Sequence, residues 1–100
     1  MRKTVKKLVR ELVGGEPYEY YSLGRYIVVA PGVCGGRPTF KYTRIDVRHA
    51  LSLLAAGCTV ERVAHGYQLP VAAVREAVDL AAKAFAQTTR ALGQPQAERA

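Results

Sequence analysis

The chain has 100 residues with 15 Lys/Arg against 8 Asp/Glu, a net charge of +7, two cysteines and no tryptophan. That length allows one domain, burying about 65% of its unfolded surface, and two cysteines are too few for a disulfide framework. The basic balance points to an anionic partner and is uneven: residues 1–48 hold ten Lys/Arg against four Asp/Glu, and residues 49–100 hold five against four. Residues 1–13 carry charges between their apolar positions and read as neither a signal peptide nor a membrane span, so a cytoplasmic location is expected by default.

Residues 1–13, MRKTVKKLVRELV, place Val5, Leu8, Val9, Leu12 and Val13 on one helical face and Arg2, Lys3, Lys6, Lys7 and Arg10 on the others, with Gly14-Gly15 as a stop. The spacing predicts an amphipathic basic helix, docked by its apolar stripe or serving as a phosphate-contacting arm. Tyr18, Tyr20, Tyr21 and Tyr26 then fall within nine residues. They are expected to pack as a strand or extended arm, hydroxyls toward water. Residues 1–25 form the first segment of the expected organisation, residues 26–87 the folded domain, and residues 88–100 a mobile tail.

Tyr26 to Ala30 is an aromatic-led, β-branched run bounded by Pro31-Gly32, and Gly35-Gly36 offers a second reversal. A hairpin follows. Pro38 lacks a backbone donor, so the returning segment 39–42 is an edge or a very short pairing. Asp46 is placed to cap a helix from Val47 that stops at Gly57. Thr59 caps a short helix ending near His65-Gly66, and a longer one runs from Pro70 to Ala86 with Val71, Val74, Val78, Ala81 and Phe85 inward. The expected fold is α+β but mainly α: an N-terminal helix and arm and a β-hairpin, followed by a three-helix, homeodomain-like helix-turn-helix bundle.

Gly35-Gly36-Arg37-Pro38, Thr43-Arg44-Ile45-Asp46-Val47 and Gly57 with the helix pair after it resemble the domain of unknown function 433 family over about Ile27 to Ala81. That family is regarded as VapB-type antitoxins. The chain departs from its pattern at Tyr42, where glycine is usual, and at Asp46, where proline is usual. The resemblance implies an antitoxin that binds DNA at its own promoter and neutralises a PIN-like ribonuclease toxin, and a C-terminal segment in which Arg90 and Arg99 reach an acidic nuclease site. The alternative is a homodimeric protein-interaction module without DNA binding.

For double-stranded DNA, Arg2, Lys3, Lys6, Lys7, Arg10, Arg37, Lys41 and Arg48 are the candidate phosphate contacts, and Arg75 the candidate reader of a base edge. The outward positions of the last helix, Ala72, Ala73, Arg75, Glu76, Asp79 and Lys83, carry no net charge. Gly35, Gly36, Pro38, Thr43 and Arg44 are assigned structural roles, with the Arg44 guanidinium buried between hairpin and helix. A symmetric homodimer built mainly from residues 1–30 is expected, because hairpin edge, apolar face and tyrosines exceed what a monomer covers. Cys34, His49, Cys58 and His65 follow one another at fifteen, nine and seven residues, which matches no zinc pattern. No paired acids, nucleophile beside a base or phosphate loop is present, so the expectation is a non-enzyme with neither metal nor cofactor.

Overall fold

The computed structural model describes the backbone of residues 7–91 and the side chains of residues 7–89. Four strands, β1 (Leu8–Val13), β2 (Glu16–Ser22), β3 (Ile27–Val29) and β4 (Pro38–Phe40), form one antiparallel sheet in the order β1-β2-β3-β4. Three helices follow: α1 (Val47–Ala55), α2 (Val60–Tyr67) and α3 (Val71–Ala91). A mainly α fold opening on a helix is therefore wrong. The described part of residues 1–13 is a strand, and a four-stranded meander stands where a single hairpin was expected.

The reason lies at Gly14-Gly15. Their φ angles of +59° and +84° make a two-residue reversal in which both central residues are left-handed, the turn whose twist suits a hairpin. It sets Val13 opposite Glu16 and then Glu11 opposite Tyr18, Arg10 opposite Glu19 and Val9 opposite Tyr20. Arg10 Nε lies 2.6 Å from Glu19 Oε2 across the strands. A lone helix of three turns is marginal in water, whereas the strand gains these cross-strand pairs and a layer of tyrosine rings.

β3 is the hinge of the packing. Ile27 and Phe40 point to the helices and join Val47, Ala50, Val63, Ala64, Ala73, Val74 and Ala77 in the main core. Val28, one residue on, faces the other way and packs with Tyr20 and Ala30, flanked by Val9, Tyr18 and Val33. β4 lies at the edge, where the missing donor of Pro38 costs nothing.

The helix boundaries have local causes. Asp46 accepts from the Arg48 amide at 2.8 Å and starts α1, and Thr59 accepts from the Arg62 amide at 3.1 Å and starts α2. α2 ends on Gln68 in the left-handed conformation. α3 runs five residues past the expected Ala86. Its apolar stripe outlasts the core, leaving Val78 39% and Phe85 74% exposed rather than inward.

Candidate nucleic-acid interface

α2, the three residues Gln68, Leu69 and Pro70, and α3 form two helices joined by a short reversal, with Ala64 of α2 and Ala73, Val74 and Ala77 of α3 buried in one core. Arg62, Ala72, Arg75, Asp79 and Lys83 are exposed. Arg75 Nη2 stands 3.4 Å from Glu61 Oε2, with both side chains about two-thirds exposed, a pairing too weak to hold the guanidinium from a stronger acceptor.

Two α3 positions depart from the expected outward face. Ala73 is buried, and Glu76 turns inward: its carboxylate accepts from the backbone amides of Arg25 at 2.8 Å and Tyr26 at 2.7 Å, fastening the β2–β3 turn to α3. Gly24 permits this, since a Cβ there would lie 2.6 Å from the Glu76 carboxyl carbon. With Glu76 withdrawn, Arg75, Asp79 and Lys83 leave the outer face of α3 slightly basic. Glu76 is about fifty residues from its partners, and the one hint in the sequence is a glycine in a turn with no other need of it.

The glycine-proline and threonine-arginine motifs meet in one compact knot. Gly35 and Gly36 stand at φ +64° and +82° in a 3-10 turn, Cys34–Gly36, and Pro38 opens β4. Thr43 Oγ1 donates to the Phe40 carbonyl at 2.7 Å and accepts from the Ile45 amide at 3.0 Å. Tyr42 keeps the left-handed turn at φ +66°. The strain is offset by the Tyr18 hydroxyl, which accepts from the Tyr42 amide at 3.0 Å, and by the Tyr42 hydroxyl, which donates to Glu11 at 2.8 Å.

Arg44 does not take the buried role expected of it. Its carbonyl accepts from the Cys34 thiol at 3.2 Å, but its side chain is exposed and lines an open groove with Tyr18, Tyr42 and Val33. Arg37 ties hairpin to helix instead: its Nε donates to Asp46 Oδ2 at 2.6 Å. That bond holds the Asp46 carboxyl below the usual carboxylate range.

The candidate phosphate contacts scatter. Arg2, Lys3 and Lys6 lie outside the described residues, as does Arg99, and the side chain of Arg90 is among those not described. Lys7 is exposed beside β1, while Arg10 is engaged by Glu19 across β1 and β2. Lys41 Nζ lies 5.0 and 5.2 Å from the ring centroids of Tyr20 and Tyr42. Among the described candidates, Arg37 and Arg48 come together, on either side of Asp46.

A second polar cluster was invisible in the sequence. Glu11 accepts from the Tyr20 hydroxyl at 2.5 Å as well as from Tyr42, so of the four clustered tyrosines Tyr20 binds a carboxylate rather than reaching water. The Tyr20 bond, then the Tyr42 bond, hold Glu11 below its ordinary pKa. The Tyr20 phenol, bonded to Glu11 and buried, is pushed up to about 12. Among the described residues no group of His, Cys, Asp and Glu could hold a metal ion, and no helix is long and apolar enough to cross a membrane.

These features define a small α+β protein: a four-stranded antiparallel meander followed by three helices, of which the last two are joined by three residues. A family model described as "Protein of unknown function (DUF433)" matches residues 27–81, from the first residue of β3 into the middle of α3, and the chain belongs to that family. No curated protein and no solved structure matches the chain.

Proposed function

We propose that the protein is a cytoplasmic antitoxin-type regulator that binds double-stranded DNA as a homodimer and sequesters a PIN-like ribonuclease toxin. One observation carries the DNA part: α2 and α3 are joined through three residues, with Arg62 and Arg75 exposed on the pair and Glu76 withdrawn from it. Arg75 is the base reader and the remaining arginines bind phosphate. The dimer reading is supported by β1, an edge strand on which Leu8, Leu12 and Val13 are 43%, 76% and 41% exposed. The antitoxin part rests on the family resemblance in Gly35-Gly36-Arg37-Pro38 and Thr43-Arg44.

Fluorescence anisotropy tests the reading, using duplex from upstream of the protein's own operon against random duplex. Arg75→Ala is expected to cost about 1–3 kcal/mol on the operon duplex and little on the random one. Failure of the native protein to bind either duplex at low salt would sink it.

The second reading, an assembly module that binds protein alone, is favoured by the exposed Val78 and Phe85 on α3. Under it Phe85→Glu disrupts assembly as read by light scattering, and Arg75→Ala changes nothing.

A further inference from the structure

Asp46 faces two arginines. Its Oδ2 accepts from Arg37 Nε at 2.6 Å, and its Oδ1 lies 3.9 Å from Arg48 Nε. The carboxylate is only 17% exposed while the Arg37 and Arg48 side chains are 48% and 72% exposed, so the acid lies beneath and the bases stand toward solvent. Both contacts engage the Nε side of a guanidinium, and the terminal nitrogens of each remain as donors. Two positive groups around one negative group leave a net positive charge. With His49 and Ser52 they line an open cleft of about 480 Å³.

We propose that this cleft binds a phosphate group, whose oxygens are shared between the Arg37 and Arg48 guanidinium groups while Asp46 acts as the positioning residue beneath them. Three features favour phosphate over carboxylate. The site already contains its own carboxylate, so a second planar anion would repeat what Asp46 supplies. A tetrahedral anion can offer separate oxygens to two guanidinium forks that approach from different elements, the loop before β4 and the first turn of α1. The Arg48 amide is already taken by Asp46, so recognition falls to the side chains rather than to the helix end. His49, exposed and set edge-on to Tyr67 at 6.3 Å, adds a donor at the rim. The Ser52 hydroxyl donates to the His49 carbonyl at 2.8 Å and fixes that wall of the cleft.

Two sources carry this chemistry: a diester of the duplex backbone, which deepens the DNA reading above and rests on it, and the monoester of a free nucleotide. The test uses the full chain. The Arg37 and Arg48 Nε–H resonances are followed by NMR during titration with inorganic phosphate, then adenosine monophosphate, then duplex. Both resonances are expected to shift with phosphate, and Arg48→Ala to abolish the shift of Arg37. In anisotropy, Arg48→Ala should lower the slope of log affinity against log salt by about 0.9, while Lys83→Ala, an equal loss of charge on α3, lowers it less. Arg48 is used because its side chain holds no other element in place, and an unchanged melting curve confirms that. Shifts with the monophosphate but not with duplex assign the cleft to a nucleotide. Shifts with phosphate in a protein that binds no duplex uphold the cleft and overturn the DNA reading. Still resonances at saturating phosphate, with equal effects of Arg48→Ala and Lys83→Ala, overturn the cleft.

Discussion

Glu11 is the residue on which the N-terminal half closes, because it accepts hydrogen bonds from two tyrosines that belong to different parts of the chain. Tyr20 lies opposite its own strand, and Tyr42 in the turn after β4. The pH dependence of this cluster follows from its displaced groups, of which Glu11 and Tyr20 set the two limbs. Glu11 titrates lower in the folded chain than in the unfolded one, so its contribution is present above about pH 4.5 and is lost as pH falls through the folded value. Tyr20 titrates higher, so its contribution is complete below pH 10 and is lost as pH rises through about 12. Tyr20→Phe should therefore reduce the alkaline loss of stability between those two values, leaving the share of Tyr42, which Glu11 also raises, and soften the acid limb as well. Melting temperatures across the pH range check this, and an alkaline limb unchanged in the variant would mean that the phenol is not the titrating group. Arg37 and Arg44 teach a second lesson about single residues. They stand on either side of β4, and composition alone cannot say which guanidinium reaches the helix cap. The bond goes to Arg37 because its loop runs beside Asp46, whereas the Arg44 backbone is held by Cys34 and its side chain is turned out.

The join between the β2–β3 turn and α3 depends on Glu76. Glu76→Ala leaves the amides of Arg25 and Tyr26 without their acceptor, and a loss of about 1–3 kcal/mol is expected. Hydrogen exchange at those two amides should accelerate while exchange in α2 stays slow, and uniform acceleration would place the damage in the core instead. Contacts of this reach are what sequence reading misses. The three helix starts were readable because each depends on neighbours: Asp46 and Thr59 cap within three residues, and Pro70 precedes its own helix. β4 was readable as an edge from Pro38 alone. The N-terminal segment was not, because Leu8, Val9, Leu12 and Val13 satisfy a helical stripe and the strand's choice between faces depends on tyrosines beyond the turn. Gly14-Gly15 between two runs of apolar residues was the signal for a hairpin, and it was read as a helix stop. Of the site, the sequence names the basic residues and the Asp46 cap, but not the acids that engage those bases, Asp46 on Arg37, Glu19 on Arg10 and Glu61 on Arg75.

The body measures 55 × 38 × 21 Å, drawn out by the β1–β2 ribbon and the extended α3. Leu12 stands at the outer edge of that ribbon, and its exposure is the strongest sign of a second copy. Leu12→Glu is expected to give a monomer by light scattering at concentrations where native protein is dimeric, and to remove the concentration dependence of melting that a dimer shows. A native monomer at tens of micromolar would remove the dimer. The ribbon carries one more implication. Its backbone is paired to β3 only through Tyr21 with Val29 and Ser22 with Val28, and the family's matched segment opens on β3 itself. The ribbon's base is tied in, since Tyr20 packs on Val28 and both Tyr18 and Glu11 hold Tyr42, whereas its tip at Gly14-Gly15 meets nothing among the described residues. The tip can therefore be lengthened or trimmed over generations without re-registering β3 against β4 or shifting a helix.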